Sequence, residues 1–386
     1  MSTNLAEPVR QSERILIIDA LRGFAILGIL LMNIPGFGLP VAVGGDPSVL
    51  NEAGTINFKI WQWVELIPEG TQRAIFSMLF GAGIILFTER LQKKTTGTEP
   101  MDYFIRRMLW LMVFGLFDAY VLLWWGDILF DYACYGLIMV AFRKLPVKGL
   151  LIGAFISFLL MSARDNRDFY QDKKMISKGE LIAAMDTTKT KLTDRQKEEL
   201  GAMTEFKESS TKEKKMKRME KSILRTTGSY ADLYDYRSNI YVNVIVKYTY
   251  MSIWDVTLFM FLGMAFYKSG VLTGQASSKI YWLLCIGGLG LGLIVSWFRL
   301  QPMIKYNFNW YEYTKNVQVE LYTLSRTLRS LGVFGFIMLL FKSGWFNWLL
   351  KLMRPVGQMA FTNYLTQSII CGIIFYGVGF GMYGKL

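Results

Sequence analysis

The stretch Leu16–Gly38, "LIIDALRGFAILGILLMNIPGFG", is apolar enough to cross a bilayer, yet it holds Asp19 and Arg22 near one end and Asn33 near the other. Charged and amide side chains at membrane depth are costly, and so are functional candidates by default. Asp19 and Arg22 stand three residues apart on one helix face, with the acid N-terminal to the base, a favourable order. A structural ion pair explains them as well as a binding role does. Asn33 lies roughly 16 Å further along a helix rising 1.5 Å per residue. It is followed by "IPGFGLP", where Pro35 and Pro40 are expected to end the helix and Gly36 and Gly38 to free the backbone. Such a broken end can present backbone donors to a ligand; an amide that merely satisfies unwound backbone competes with that reading.

The remainder of the 386-residue chain has the same character, at 52% hydrophobic and 15% aromatic. Nine apolar runs, near 15–37, 73–89, 106–125, 127–142, 147–163, 240–267, 279–298, 327–342 and 355–381, predict an all-α polytopic transmembrane bundle. The opening segment has no small-residue cleavage site, so the first helix reads as retained and not as a signal peptide. With the N-terminus in the cytoplasm, loops 89–107, 143–148, 268–279 and 342–354 carry the Lys/Arg excess, whereas 38–72 holds Asp46, Glu52, Glu65 and Glu69. That asymmetry accounts for much of the net charge of +13, and nucleic-acid binding is not required by it. Within 38–72, "INFKIWQWVELI" reads as an interfacial helix or as a loop helix packed on the bundle.

Residues 164–239 differ in kind. Charged and Pro-free, they predict an extramembrane insertion of two or three helices, dividing the chain into bundles 1–163 and 240–386. The chain contains no histidine, which removes histidine bases, histidine-ligated haem and histidine zinc sites. Cys134, Cys285 and Cys371 have neither disulfide nor metal spacing, so no haem or metal is expected. Chemistry is left to carboxylates, amides, hydroxyls, Lys, Arg and Tyr.

In "LLWWGDILFDYACYG", Leu122–Gly136, two spans meet in a tight turn where Trp124 and Trp125 suit an interfacial belt. Asp127 either caps the following helix or, with Asp131 one turn on, forms a carboxylate pair able to supply a base. Gly81 and Gly83 suit close helix packing. Asp118, Lys247 and Asp255 are further charges at membrane depth, and Gln358, Asn363 and Gln367 form a polar stripe in the last span.

The motifs "DALRGFAILGILLMN", "FSMLFGAGI", "WWGDILFDYACYG" and "VGQMAFTNYLTQS" resemble, in order, those of the YeiB proteins, the domain-of-unknown-function family numbered 418. That family is similar in its first half to heparan-α-glucosaminide N-acetyltransferase and is grouped with transmembrane acyltransferases. The resemblance implies a cell-membrane protein moving an acyl group from cytoplasmic acyl-CoA to an extracytoplasmic glycan, lipid or small molecule. It matches Asn33 to a catalytic-site asparagine. The histidine of the related enzyme has no counterpart in "GLPVAVGG", so Asp127 becomes the substitute base, with Asn33 positioning the acyl carbonyl or the acceptor. Asp19, Arg22, Asp131, Asn363 and Gln367 are the expected substrate contacts, and Arg106 and Arg107, with Arg90 beside them, suit the phosphates of acyl-CoA. The resemblance implies a further helix beyond the point where this chain stops at "MYGKL"; either the chain is naturally short or it is truncated, and the two expected consequences are weaker activity or an open groove. Membrane lipids are expected partners, and a homodimer is left open. Two rival readings stand: a transporter or flippase of a small molecule or lipid, and a non-catalytic component of an envelope complex.

Overall fold

A computed structural model of the chain describes residues 15–94, 97–185, 191–244 and 250–385; Lys247 lies outside them. Seventeen helices run in order: α1 (Leu16–Gly38), α2 (Val41–Gly44), α3 (Ile56–Leu66), α4 (Thr71–Gln92), α5 (Glu99–Tyr120), α6 (Leu129–Met139), α7 (Val147–Ala183), α8 (Asp194–Ser209), α9 (Lys212–Thr226), α10 (Tyr230–Val244), α11 (Tyr250–Lys268), α12 (Ser278–Trp282), α13 (Gly288–Lys305), α14 (Trp310–Asn316), α15 (Tyr322–Ser343), α16 (Asn347–Gln358) and α17 (Ala360–Phe375). One π turn, Leu283–Gly287, joins α12 to α13. The described residues contain no strand, as an all-α membrane protein requires.

Among the described residues, five stretches are long and apolar enough to cross a membrane: Leu16–Gly38, Ile56–Gln92, Val147–Ala183, Ser278–Lys305 and Tyr322–Ser343. Two further apolar helices, Leu129–Phe142 and Ala360–Phe375, are shorter. The expected count of nine spans is therefore not reproduced. The expected last span divides at Met359 into α16 and α17, because Pro355 and Gly357 interrupt its periodic pattern. At the opposite extreme, α1 continues through Pro35 to Gly38 instead of breaking there. The Leu39 N–H donates to the Pro35 carbonyl at 2.8 Å and closes the last turn.

Backbones approach closely where side chains vanish. A Cβ on Gly357 would stand 1.8 Å from the Asp19 carbonyl oxygen, and one on Gly23 would stand 2.2 Å from that of Met353, which locks α16 against α1. Gly81 and Gly263 do the same for α4 and α11, with clashes at Met260 and Met78. Gly81 therefore serves packing, as its spacing suggested.

The insertion begins without a break: α7 is one helix of 37 residues, leaving the bundle midway along its length. Its distal half, with α8, α9 and α10, is stitched to the loops that share its end of the bundle. Lys215, buried, pairs with Asp46 at 2.6 Å and donates to the Phe308 carbonyl. Glu180 accepts from Lys315 at 2.6 Å and from the Tyr311 hydroxyl at 2.8 Å. The last residues fold back onto the same cap: Gly377 donates to Thr226, Tyr383 bonds Ser222, and Gly384 donates to Gly38 at 2.8 Å. The opposite face gathers the basic loops, tied to one another by Lys268 on the Leu145 carbonyl and Lys342 on that of Ala276.

Beneath the cap, the charges of the bundle are paired across helices. Asp255 of α11 meets Arg73 at 2.5 Å and also Arg326. Arg329 bonds Glu69 and the carbonyls of Glu65 and Ile67, while Arg299 bonds Glu65 at 2.8 Å. Replacing Asp255 by Asn would leave Arg326 buried without its charge partner, a change expected to cost about 3–5 kcal/mol and to lower the thermal midpoint of the detergent-purified protein. At the cap, the Lys315 and Tyr311 hydrogen bonds hold the Glu180 carboxyl below its usual range. Its contribution to docking is thus present above the ordinary carboxylate pKa and lost as pH falls through the lowered one. Amide exchange in α8 and α14 should accelerate on acidification below about pH 4, and Glu180→Gln should abolish that acid dependence.

Candidate functional site

The bundle encloses a cavity of about 670 Å³ between α1, α4, α5, α16 and α17. Its polar end lies toward the basic face and is built by Asp19, Arg22, Arg90, Arg107 and Gln358. These positions follow from helix geometry: Asp19 and Arg22 share one face of α1, and Gln358 closes α16 exactly one close crossing away. Arg22 bonds Asp19 at 3.3 Å, and Gln358 donates to the other Asp19 oxygen at 3.3 Å. Asp19 is buried while Arg22 keeps part of its guanidinium free of protein cover. Arg107 projects from α5 over the Phe87 ring at 4.9 Å.

From there the walls become apolar and aromatic, through Phe80, Leu111 and Phe114, to a ceiling of Ile128, Leu129, Tyr132 and Tyr364. One side of the cavity is thin. Phe114 of α5 meets Phe361 of α17 edge-on, with ring centroids 5.0 Å apart, and Trp110 beside them is 63% exposed. This rim faces the region where lipid would lie.

A buried pair of carboxyls lies one residue beyond the ceiling. Asp127 accepts from the backbone N–H groups of Leu129 at 3.1 Å and Phe130 at 3.0 Å, capping α6. The capping reading of Asp127 therefore holds. The cap turns its carboxyl back toward α5, where Asp118 is wholly buried and neither of its oxygens has a hydrogen-bond partner among the described residues. Ser368 of α17 and Asp127 are its polar neighbours. Gly115 leaves the room for this approach, since a Cβ there would stand 2.7 Å from an Asp127 oxygen. The Tyr364 hydroxyl accepts from the Ile128 N–H at 3.2 Å and so ties the ceiling to α17.

The expected residues are thus distributed unevenly. Asp19, Arg22 and Arg107 line the cavity, joined by Arg90, whereas Arg106 points away from it and is exposed. Asp127 adjoins the cavity through Ile128 and Leu129 without lining it. Asp131 is half-buried within electrostatic reach of Asp127, but the close carboxyl neighbour of Asp127 is Asp118. Asn33 sits half-buried in the last turns of α1 and is not among the cavity walls. Asn363 donates to the Val356 carbonyl at 2.9 Å, satisfying the end of α16, and Gln367 donates to that of Ile26 at 3.3 Å. Those two amides bridge helices and do not face the cavity. Trp124 is buried and stacked on Phe37, with centroids 3.7 Å apart, and forms no interfacial belt. Phe361, Tyr364 and Tyr132 had no signal in sequence beyond being aromatic, because a cavity wall and a packed core share the same helical period.

Comparison with known proteins follows this geometry. Residues 266–386 match the family model described as "Protein of unknown function (DUF418)". The chain is 29% identical over 98% of its length to the uncharacterized protein YxaH of Bacillus subtilis (strain 168), covering 86% of that protein. It is 26% identical over 96% of its length to the uncharacterized protein YeiB of Escherichia coli (strain K12), again covering 86%. A third relative, an uncharacterized 39.9 kDa protein in the amylase 3′ region of Bacillus acidopullulyticus, is 35% identical over 40% of this chain and 42% of its own. No solved structure matches. The motifs of α1, α4, α6 and α17 thus lie within alignments to YxaH and YeiB that run nearly the length of the chain, and the C-terminal third carries the DUF418 match.

Proposed function

We propose that the chain is an integral membrane acyltransferase that accepts an acyl group from acyl-CoA at its basic, cytoplasmic face and delivers it toward the capped, extracytoplasmic face. The observation that carries this reading is the cavity itself. Its cationic end, with Arg22, Arg90 and Arg107, suits phosphates, and its aromatic interior suits an acyl chain and pantetheine arm. It ends one residue short of two buried carboxyls.

Acyl transfer requires a base for the acceptor, and without histidine the base must be a carboxylate or another oxygen. Asp127 keeps lone pairs beyond those engaged by Leu129 and Phe130. In the proposed step an acceptor hydroxyl or amine attacks the thioester carbonyl while the Asp127 carboxylate takes its proton. The carbon–sulfur bond breaks, the CoA thiolate leaves toward the basic face, and the proton taken by Asp127 passes through water to it, giving the CoA thiol and restoring the carboxylate. Asp118 would hold Asp127 in position from the α5 side. Asn33, away from the cavity walls, is given no contact with the thioester in this scheme.

The thin rim at Trp110, Phe114 and Phe361 favours a second reading, in which the cavity accepts a lipid from the bilayer and carries it across. The two readings separate by experiment. Protein in liposomes given radiolabelled acetyl-CoA should bind it and release CoA slowly with water as the acceptor. Asp127→Asn should reduce release at least ~100-fold, whereas Arg107→Met should raise the KM for acetyl-CoA with little change in kcat. Absence of both binding by calorimetry and CoA release, alongside lipid movement in donor-free vesicles, would replace the acyltransferase by the flippase.

A further inference from the structure

Arg237 stands apart from the other buried arginines of this protein. It is 1% exposed, yet among the described residues it makes no ion pair and no hydrogen bond, and its Nε and Nη2 are buried without an acceptor. Arg326 and Arg329, equally buried, both have carboxylates. The guanidinium of Arg237 has only rings around it: Tyr376 at 5.4 Å, Tyr383 at 5.5 Å and its helix neighbour Tyr236 at 5.9 Å. An unpaired buried cation is among the more destabilising arrangements a fold can hold, and aromatic faces offset it only in part.

Its surroundings point the same way. Thr226 is fully buried with its hydroxyl unpartnered, and its carbonyl holds Gly377, the residue after Tyr376. These orphaned groups can all donate hydrogen bonds, and they lie where α9, α10 and the tail meet. Tyr376 also lies within electrostatic reach of Asp118. The two rings supplied by the tail, Tyr376 and Tyr383, occupy the place an anion would take. The tail bonds Thr226, Ser222, Gly38 and Leu123 outside itself and turns back on the end of α17 at Ile373, Ile374 and Phe375, while its apex at Val378 and Phe380 is exposed.

We infer that Arg237, with Thr226, is an anion-binding site on the insertion face, filled by an oxyanion group such as a phosphate or carboxylate when the tail 376–384 lifts. On the acyltransferase reading, on which this assignment of a role rests, the anion belongs to the acceptor, and Arg237 holds it above the carboxyl pair. The site itself is argued from its unpaired donors and is tested without any acyl donor.

Thermal unfolding of the detergent-purified full chain is followed with added inorganic phosphate or acetate, against chloride at equal ionic strength. Wild type should gain about 3 °C or more with one of these anions. Arg237→Met should unfold at the same or a higher temperature than wild type in chloride, because it removes an unpaired charge, and should lose the anion response. Arg237→Lys should retain part of it. An Arg237→Met protein that fails to fold or melts lower shows the cation to be structural and overturns the inference. So does a wild type indifferent to both anions, or a response that persists in Arg237→Met. Failure of CoA release with an intact anion response would instead remove the acyltransferase reading and leave the site standing.

Discussion

A charge buried in a membrane bundle must find its partner within the chain, because lipid supplies none. The architecture of this protein follows from how that requirement is met. Asp255 draws Arg73 of α4 and Arg326 of α15 onto α11, and Glu65 and Glu69 draw in Arg299 and Arg329 from α13 and α15. These contacts join helices that are far apart in sequence and fix the depth at which they cross. Glycine pairs then let the backbones close, α1 on α16 and α4 on α11. The charges supply register, and the glycines supply proximity.

The same requirement marks the places where function is to be sought. Asp19 and Arg22 look inward as a pair, joined by Gln358, yet they stand on a cavity wall instead of in a sealed core. Structural and binding roles are therefore compatible for them. Asp118 and Arg237 make no ion pair among the described residues, and Tyr376 lies within electrostatic reach of both. Unpaired buried polar groups are rare in folded proteins and call for an explanation where they occur. In the proposed anion site, α10 supplies Arg237, and α9 supplies Thr226 and an anchor for the tail.

The all-α membrane class was legible from hydropathy, and so were the intimacy of Gly81 and the polar character of α1. The first-helix ion pair was legible from its three-residue spacing. Less of the site was legible. Asp131 looked like the natural partner for Asp127, since residues four apart share a helix face. The partner is Asp118 because Asp127 spends its carboxyl on the α6 N-terminus, and that cap aims it across the turn to α5. The polar stripe of the last span divided: Gln358 bonds the Asp19 carboxylate, Gln367 bonds the Ile26 carbonyl of α1, and Asn363 satisfies the Val356 carbonyl left at the end of α16.

The sequence by itself determined what could not be present and what had to be buried. A chain without histidine leaves proton chemistry to other groups, and its long apolar runs must lie in a membrane as helices. Which carboxyls meet, which arginines are left unpaired and where a cavity remains were decided only by tertiary structure. Local pattern encodes which face of a helix is polar, whereas the partner across that face depends on crossings set by glycine contacts and paired charges distant in the chain.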